Sequence, residues 1–353
     1  MASGPNTFVT MGVFTAEKFQ GNPLAIVSVH GNSLSQKRKA LIAKEFKYSE
    51  TCFLHDAPAP GQPRTLEIFT EIGEELPFAG HPVIGTAHYI FQYLEKMQYV
   101  GPADRDNQRQ TAVLLTKAGR IPIFFNPYRQ VAACAVPHNF HVHSQRVPVD
   151  KIIATQPHVQ IIPTIDKEKG KTYPLVSIVK GMSFVLIDLT HNPSFFAAVQ
   201  AGKSPEVELD EEWSPSFVGC MYYKRLPNQE QAGEPPIHNV QARMISHGIE
   251  DPGTGSAVSA LSCYLALHGV AAAPDQTTQP KIDEDLAKKA EELKLEPKTE
   301  RKVFGIQQGV EMGRVCTIAV EVDVKTDTDG STSIANVILS GRATMVTESK
   351  LLG

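Results

Sequence analysis

Residues 75–95, ELPFAGHPVIGTAHYIFQYLE, constrain this chain more than any other stretch. A turn, Ala79-Gly80-His81-Pro82, leads into the apolar residues Ala87, Tyr89, Ile90, Phe91, Tyr93 and Leu94. They cover most of a helix's circumference rather than one stripe, which predicts a helix buried all round. The first backbone N–H groups of a helix have no partner within it, so the Gly80–His81 end is suited to receive an anion.

The pattern returns at residues 250–268, EDPGTGSAVSALSCYLALH. The turn Asp251-Pro252-Gly253-Thr254-Gly255 again precedes an apolar run, Ala257, Val258, Ala260, Leu261, Tyr264, Leu265 and Leu267. Two buried helices, each opened by a polar, Gly-containing turn, suggest an internal duplication whose helix N-termini meet at one site. Many short β-branched runs surround each helix, without regular helices between them. The expected fold is therefore α+β, with two pseudo-symmetric domains, each an antiparallel β-barrel wrapped around a central helix. The expected boundaries are 1–130, joined by a returning C-terminal strand at 340–353, and 131–339. A charged insertion spans 275–302, with a surface helix at 283–293, and residues 138–150 are expected to form a linker or the entry to the second unit.

The 353 residues suffice for two cores. The formal net charge is −4 with no basic stripe, which argues against nucleic acid. No run of about 18 apolar residues and no basic n-region with an apolar h-region appear, so neither a membrane span nor a secretory signal is expected. The five cysteines are spread singly without CxxC, which fits reduced thiols in the cytoplasm rather than a disulfide framework or a zinc site. In HNFHVH, strand alternation puts His141 and His143 on one face, but no third ligand lies nearby in sequence, and no metal is expected.

Glu50 stands just ahead of the apolar strand Thr51-Cys52-Phe53-Leu54. Burial there would raise its pKa and suit it to proton transfer near neutral pH; a carboxylate at an exposed strand edge is the simpler account from the residues alone. His81, at the mouth of the first helix, is either a cap or a group that hydrogen-bonds a substrate oxygen. Asp251 caps the second helix or holds a ligand's ammonium or hydroxyl. Gly80, Gly255 and Ser256 offer backbone N–H groups to an anion such as a carboxylate, and no GK[ST] ending makes this a phosphate loop. Asn22 lies in a Gly-Asn-Pro turn that needs such a residue in any case.

Taken together, Phe19-Gln20-Gly21-Asn22-Pro23, Ser49-Glu50-Thr51, residues 75–82 with Gly85-Thr86-Ala87, residues 250–257, and Gln308-Gly309 with Met312-Gly313-Arg314 resemble the PhzF-like phenazine-biosynthesis isomerase family. That family shares the diaminopimelate epimerase fold. The resemblance implies a site between two halves, a homodimer, no cofactor and a small carboxylate-bearing substrate. It assigns Glu50 as the catalytic carboxylate, and His81 and Asp251 as the two residues that replace the paired cysteines of the epimerases. Asn22, Gly80, Gly255 and Ser256 then bind substrate. With no thiols at those positions two-base epimerisation is disfavoured, and a single carboxylate suits an allylic proton shift. The best-known family reaction isomerises trans-2,3-dihydro-3-hydroxyanthranilate. A lyase or dehydratase using the same carboxylate, and a non-catalytic binding protein on this fold, remain the alternatives. Ser340-Gly341-Arg342 stands where the family often has Gly-Gly, and the loop 226–238 is also extra.

Overall fold

The computed structural model describes residues 6–31, 33–94, 109–230, 232–269 and 298–351. The first part of the chain runs β1 (Thr7–Val13), β2 (Asn22–Val29), α1 (Gln36–Phe46), β3 (Glu50–His55), β4 (Arg64–Thr70), β5 (Glu75–Leu76) and α2 (Gly80–Tyr89). It continues through β6 (Gln110–Thr116), β7 (Gly119–Asn126), β8 (Val131–Ala135), β9 (His141–Pro148), α3 (Val149–Thr155), β10 (Thr172–Val179) and β11 (Met182–Asp188). Then come α4 (Pro193–Ala198), β12 (Phe217–Arg225), β13 (Ile237–Ser246), β14 (Ile249–Asp251) and α5 (Gly255–His268). The chain closes with β15 (Lys298–Gln308), β16 (Cys316–Thr326), β17 (Thr332–Gly341) and β18 (Ala343–Lys350).

These strands form one continuous hydrogen-bonded series, so the class is α+β with few helices. The pairing is mixed rather than purely antiparallel: β2–β3, β4–β6, β11–β12 and β13–β15 run parallel. Parallel neighbours need a crossover. Each of these four pairs has one, since α1, α2, α4 and α5 respectively lie between its strands in sequence. The expected antiparallel barrels are corrected here, because the pairing of strands on either side of a helix is set by tertiary packing rather than by the run of residues.

Both central helices are where the apolar runs put them. All ten residues of α2 are buried, and it ends in a wider π-type turn at Ile90–Leu94. It lies against β1, β2, β3, β7, β8, β17 and β18. In α5, Ala257, Val258, Ala260, Leu261 and Leu265 are buried against β10, β11, β12, β15, β16 and β17. Val83, Ile84 and Ala87 of α2 share one continuous core with these α5 residues. Outside that core, Phe195, Phe196 and Tyr222 join a second cluster beneath α3 and α4, and Ala43 of α1 packs on Phe53 and Phe69 in a third. Ser35 caps α1, its hydroxyl accepting from the Arg38 N–H.

Several expectations are corrected. The stretch expected as a linker or the entry to a second unit carries β9, a strand paired with β10. β8 was not foreseen; it bridges β7 and β17. β18 lies within the C-terminal stretch expected to return to the start of the chain, and it pairs with β1. Of the charged insertion, residues 298–302 already belong to β15, while 275–297 with the expected surface helix lie outside the described residues. His141 and His143 do have a third potential ligand, Asp210, whose carboxylate reaches His141 from 69 residues away in sequence. Sequence spacing could not show a partner brought in by a loop that packs on β9. Among the described residues, no helix is long and apolar enough to cross a membrane.

Candidate active site

The two polar turns meet at their glycines. A Cβ on Gly80 would stand 2.9 Å from the Gly255 Cα and 2.7 Å from Leu339 Cδ2, and a Cβ on Gly255 would meet the same neighbours in return. Hydrogen at both positions is what lets the N-termini of α2 and α5 touch. Their unpaired backbone N–H groups and the positive ends of both helix dipoles are thereby brought together.

Asn22 ties this junction together. Its Nδ2 donates to Asp251 Oδ1 at 2.9 Å and to the Gly253 carbonyl at 3.0 Å, and lies 3.3 Å from His81 Nδ1. One side chain from β2 thus spans the turn before α2 and the turn before α5. Its position is fixed by Gly21, at φ 72°, where a Cβ would stand 2.3 Å from the Val13 carbonyl. Both Asn22 N–H groups are used internally, on Asp251 and the Gly253 carbonyl, so its amide braces the second turn and only packs beside His81 rather than standing free for a ligand.

Asp251 is held on both oxygens. Oδ1 accepts from Asn22, Oδ2 accepts from the Thr254 hydroxyl, and the Gly253 N–H adds a further bond. Gln308, fully buried at the end of β15, donates from Nε2 to the Asp251 carbonyl at 2.7 Å and accepts from the Thr254 N–H at 3.2 Å. Beside it, Gly309 sits at φ 73° with the Pro252 carbonyl 2.8 Å from where a Cβ would be. One residue earlier, Glu250 forms a two-pronged ion pair with buried Arg243, at 2.8 and 2.7 Å. The second turn is therefore braced from β13 and β15.

Glu50, the first residue of β3, presents Oε2 3.5 Å from His81 Nε2, and its side chain is 18% exposed. Burial, reinforced by the charges of Asp251 and Glu71, pushes its carboxyl up to about 8; the Ser49 hydroxyl pulls the other way. Burial also raises Asp251. Two acids facing one space cannot both ionise cheaply, so the pair retains a proton near neutral pH. His81 is 4% exposed, and burial drops it to about 3, so its ring is neutral. Its Nε2 has no hydrogen-bond partner, and the Pro23 carbonyl accepts a bond from the ring. That bond falls to Nδ1, which leaves the Nε2 lone pair facing the protonated Glu50; the tautomer is assigned from this network.

The structure thus gathers Glu50, His81, Asp251, Asn22, Gly80 and Gly255, while Ser256 lies half-buried in the first turn of α5. The roles of Gln308, Thr254 and Glu71 were not read from sequence. Gln308 and Thr254 were visible only as members of motifs, and Glu71, in the turn between β4 and β5, carries no local signal. The Arg342 side chain is exposed, and its backbone carbonyl accepts from the Thr15 N–H. All five cysteines are free and buried. Burial pushes Cys52, nearest Glu50 in sequence, up to about 12, which removes it as a base.

The chain is similar to known proteins. Residues 11–349 match the model of the phenazine biosynthesis-like protein family. An uncharacterized isomerase of Pasteurella multocida is 37% identical over 268 residues, covering 75% of this chain and 79% of that protein. The trans-2,3-dihydro-3-hydroxyanthranilate isomerase of Pseudomonas aeruginosa is 27% identical over 267 residues, covering 74% and 80%. Among solved structures, a PhzF-family phenazine biosynthesis protein of Bacillus anthracis superposes with a TM-score of 0.58 at 18% identity, covering 99% of this chain and 100% of that one. A probable proline racemase from Agrobacterium radiobacter superposes at 0.52 with 12% identity, covering 98% and 93%, a likeness of fold alone. By the extent of these matches the chain belongs to the phenazine biosynthesis-like protein family and is an isomerase.

Proposed function

We propose that this protein is a cofactor-independent isomerase that moves a proton between two carbons of a small carboxylate-bearing substrate, with Glu50 as the general acid and base. The supporting observation is the Glu50 carboxyl raised to about 8, facing a neutral imidazole beside the junction of two helix N-termini. In its ionised form Glu50 takes a proton from an activated C–H, and the electron pair moves through the conjugated system. The same carboxyl then returns the proton to the far carbon, so nothing is gained or lost. The N–H groups of Gly80, Gly255 and Ser256 hold the substrate carboxylate, and Asp251 and His81 bind the polar group whose charge changes during the shift.

The proposal extends to architecture. The chain divides into residues 1–130 with the C-terminal strand 340–353, and 131–339, as two related barrel-like units around α2 and α5. It acts as a homodimer in the cytoplasm.

The relative's substrate, trans-2,3-dihydro-3-hydroxyanthranilate, is the first compound to test, in D2O with product followed by NMR and mass spectrometry. Conversion to a product of unchanged formula, with partial retention of the migrating hydrogen, is the expected result. A product lighter by one water would replace isomerisation by dehydration. No conversion of this compound, or of related small unsaturated carboxylates, would remove the proposal.

The pH dependence follows from the sign of the Glu50 shift. The base form exists above the carboxyl's pKa, so kcat/KM should rise about tenfold per pH unit on the acid side and level off above about 8. Because Asp251 titrates in the same space, the midpoint belongs to the pair. A profile levelling off near pH 5 would show that Glu50 is an ordinary carboxylate.

A further inference from the structure

Outside the Glu50 network, β9 and the segment preceding β12 bring a second set of donor atoms together. His141 Nε2 lies 2.6 Å from Asp210 Oδ2, His143 Nδ1 lies 3.7 Å from the same oxygen, and the three ligand atoms all fall within 4.8 Å of one another. The i, i+2 spacing on β9 puts both imidazoles on one face of the strand.

The surrounding hydrogen bonds point the right atoms inward. Ser216 Oγ donates to the Phe217 carbonyl at 3.0 Å, so its single proton is used there. Ser183 Oγ, 2.8 Å away, must then donate to Ser216, and Ser177 Oγ, 2.6 Å away, to Ser183. The Ser177 oxygen is left to accept from His143 Nε2 at 2.8 Å. The proton on His143 therefore sits on Nε2 and the lone pair on Nδ1, facing Asp210. The Asp210 backbone N–H, 3.2 Å from Nδ1, requires the same tautomer independently. Ser144 donates its hydroxyl at 2.7 Å and its N–H at 3.2 Å to Asp210 Oδ1, which leaves Oδ2 turned toward the imidazoles; the N–H also lies 3.3 Å from Oδ2. A hydroxyl fixing a ligand's tautomer and a second one fixing a carboxylate's rotation are the outer supports that metal-binding side chains require.

We propose that His141 Nε2, His143 Nδ1 and the Asp210 carboxylate form a binding site for a divalent transition-metal ion of the zinc class, with a fourth position open to water. Two imidazoles and one carboxylate suit zinc, nickel or cobalt better than calcium or magnesium, which take all-oxygen shells. Zinc bonds of about 2.0–2.2 Å put tetrahedral donors about 3.3 Å apart; the two separations to Asp210 Oδ2, 2.6 and 3.7 Å, bracket this, and the two imidazole nitrogens lie within 4.8 Å of each other. Loading exchanges the His141–Asp210 hydrogen-bond proton for the ion and displaces the long Asp210 N–H contact. The side chains of His141 and Asp210 are 33% and 27% exposed, which gives the ion a path in. Bound there, it would pin the segment around Asp210 to β9.

The site carries its own reporter. Trp213, the only tryptophan in the chain, stacks on His141 with ring centroids 4.5 Å apart and an interplanar angle of 8°. Tag-free protein stripped with chelator should bind one equivalent of Zn²⁺ by calorimetry, and one equivalent of Ni²⁺ should quench Trp213 fluorescence to saturation. His141→Ala and Asp210→Asn should each weaken binding at least about tenfold, and His158→Ala should leave it unchanged. Asp210→Asn keeps the side chain's shape and its bond from Ser144, so it decides the outcome if His141→Ala lowers the melting temperature. Absence of saturable binding, or one-equivalent binding that survives unchanged in Asp210→Asn, overturns the site.

Discussion

Glu50→Gln should lower kcat by about 10³–10⁴-fold while leaving the affinity for a substrate analogue within a fewfold of the parent value. Gln keeps the shape of the side chain but cannot take up a proton, and the helix N-termini that would hold the ligand are untouched. Turnover and binding therefore separate, which a merely structural role for Glu50 would not produce. The same variant should also be the more stable protein at alkaline pH. Glu50 is raised in the folded state from 4.5 to about 8, so between these values the native protein keeps a proton that the unfolded chain releases. Stability from this group is complete below about 4.5 and is lost as pH rises through about 8, amounting to up to about 5 kcal/mol. Gln has no charge to bury. Parallel denaturant melts at pH 6 and pH 9 should show the parent losing stability relative to Glu50→Gln. Equal pH dependence in both proteins would mean that Glu50 is not the group whose burial is strained, and retained turnover would remove it from the chemistry.

Gly255→Ala should cost about 1–3 kcal/mol of stability and about 10²-fold in kcat/KM. The added methyl would stand 2.9 Å from the Gly80 Cα and 2.8 Å from Leu339 Cδ2. Leu339 is fully buried and can retreat only by disturbing the core, and the Gly80 backbone cannot retreat without moving the N-terminus of α2. Separating the two turns also draws Asp251, which Asn22 holds, away from His81. Gly80→Ala, its reciprocal, should behave alike. The double variant should cost less than the sum of the two, since the first methyl already opens the junction. A Gly255→Ala protein with parental activity would show that contact between the helix ends is not needed for the site. By contrast Gly330→Ala, in the turn before β17 with no atoms near its Cβ position, should leave activity intact.

How far the sequence could be read depended on whether a feature was local. The two buried helices were legible because burial on all sides leaves no polar face, as at Val83, Ile84 and Ala87, and this needs no knowledge of neighbours. The turns before them were legible for the same reason: Gly80 and Gly255 follow from a local run of polar and small residues. Glu50 was ambiguous. A carboxylate before an apolar strand reads more simply as an exposed edge than as a buried acid, and only burial of β3 beside Asp251 raised its pKa. The parallel crossovers and the bridge of β8 to β17 join residues remote in sequence, and no propensity encodes them. Asn22 looked like turn chemistry because a turn does need it, yet its amide reaches both helix entrances. Asp210 was invisible as a partner of His141 because the loop carrying it has no periodic signal. Residue order is enough to set the central helices, their glycine turns and the residue types that meet there. Packing sets which of them touch, because distance and dielectric, not residue identity, govern hydrogen bonds and pKa values.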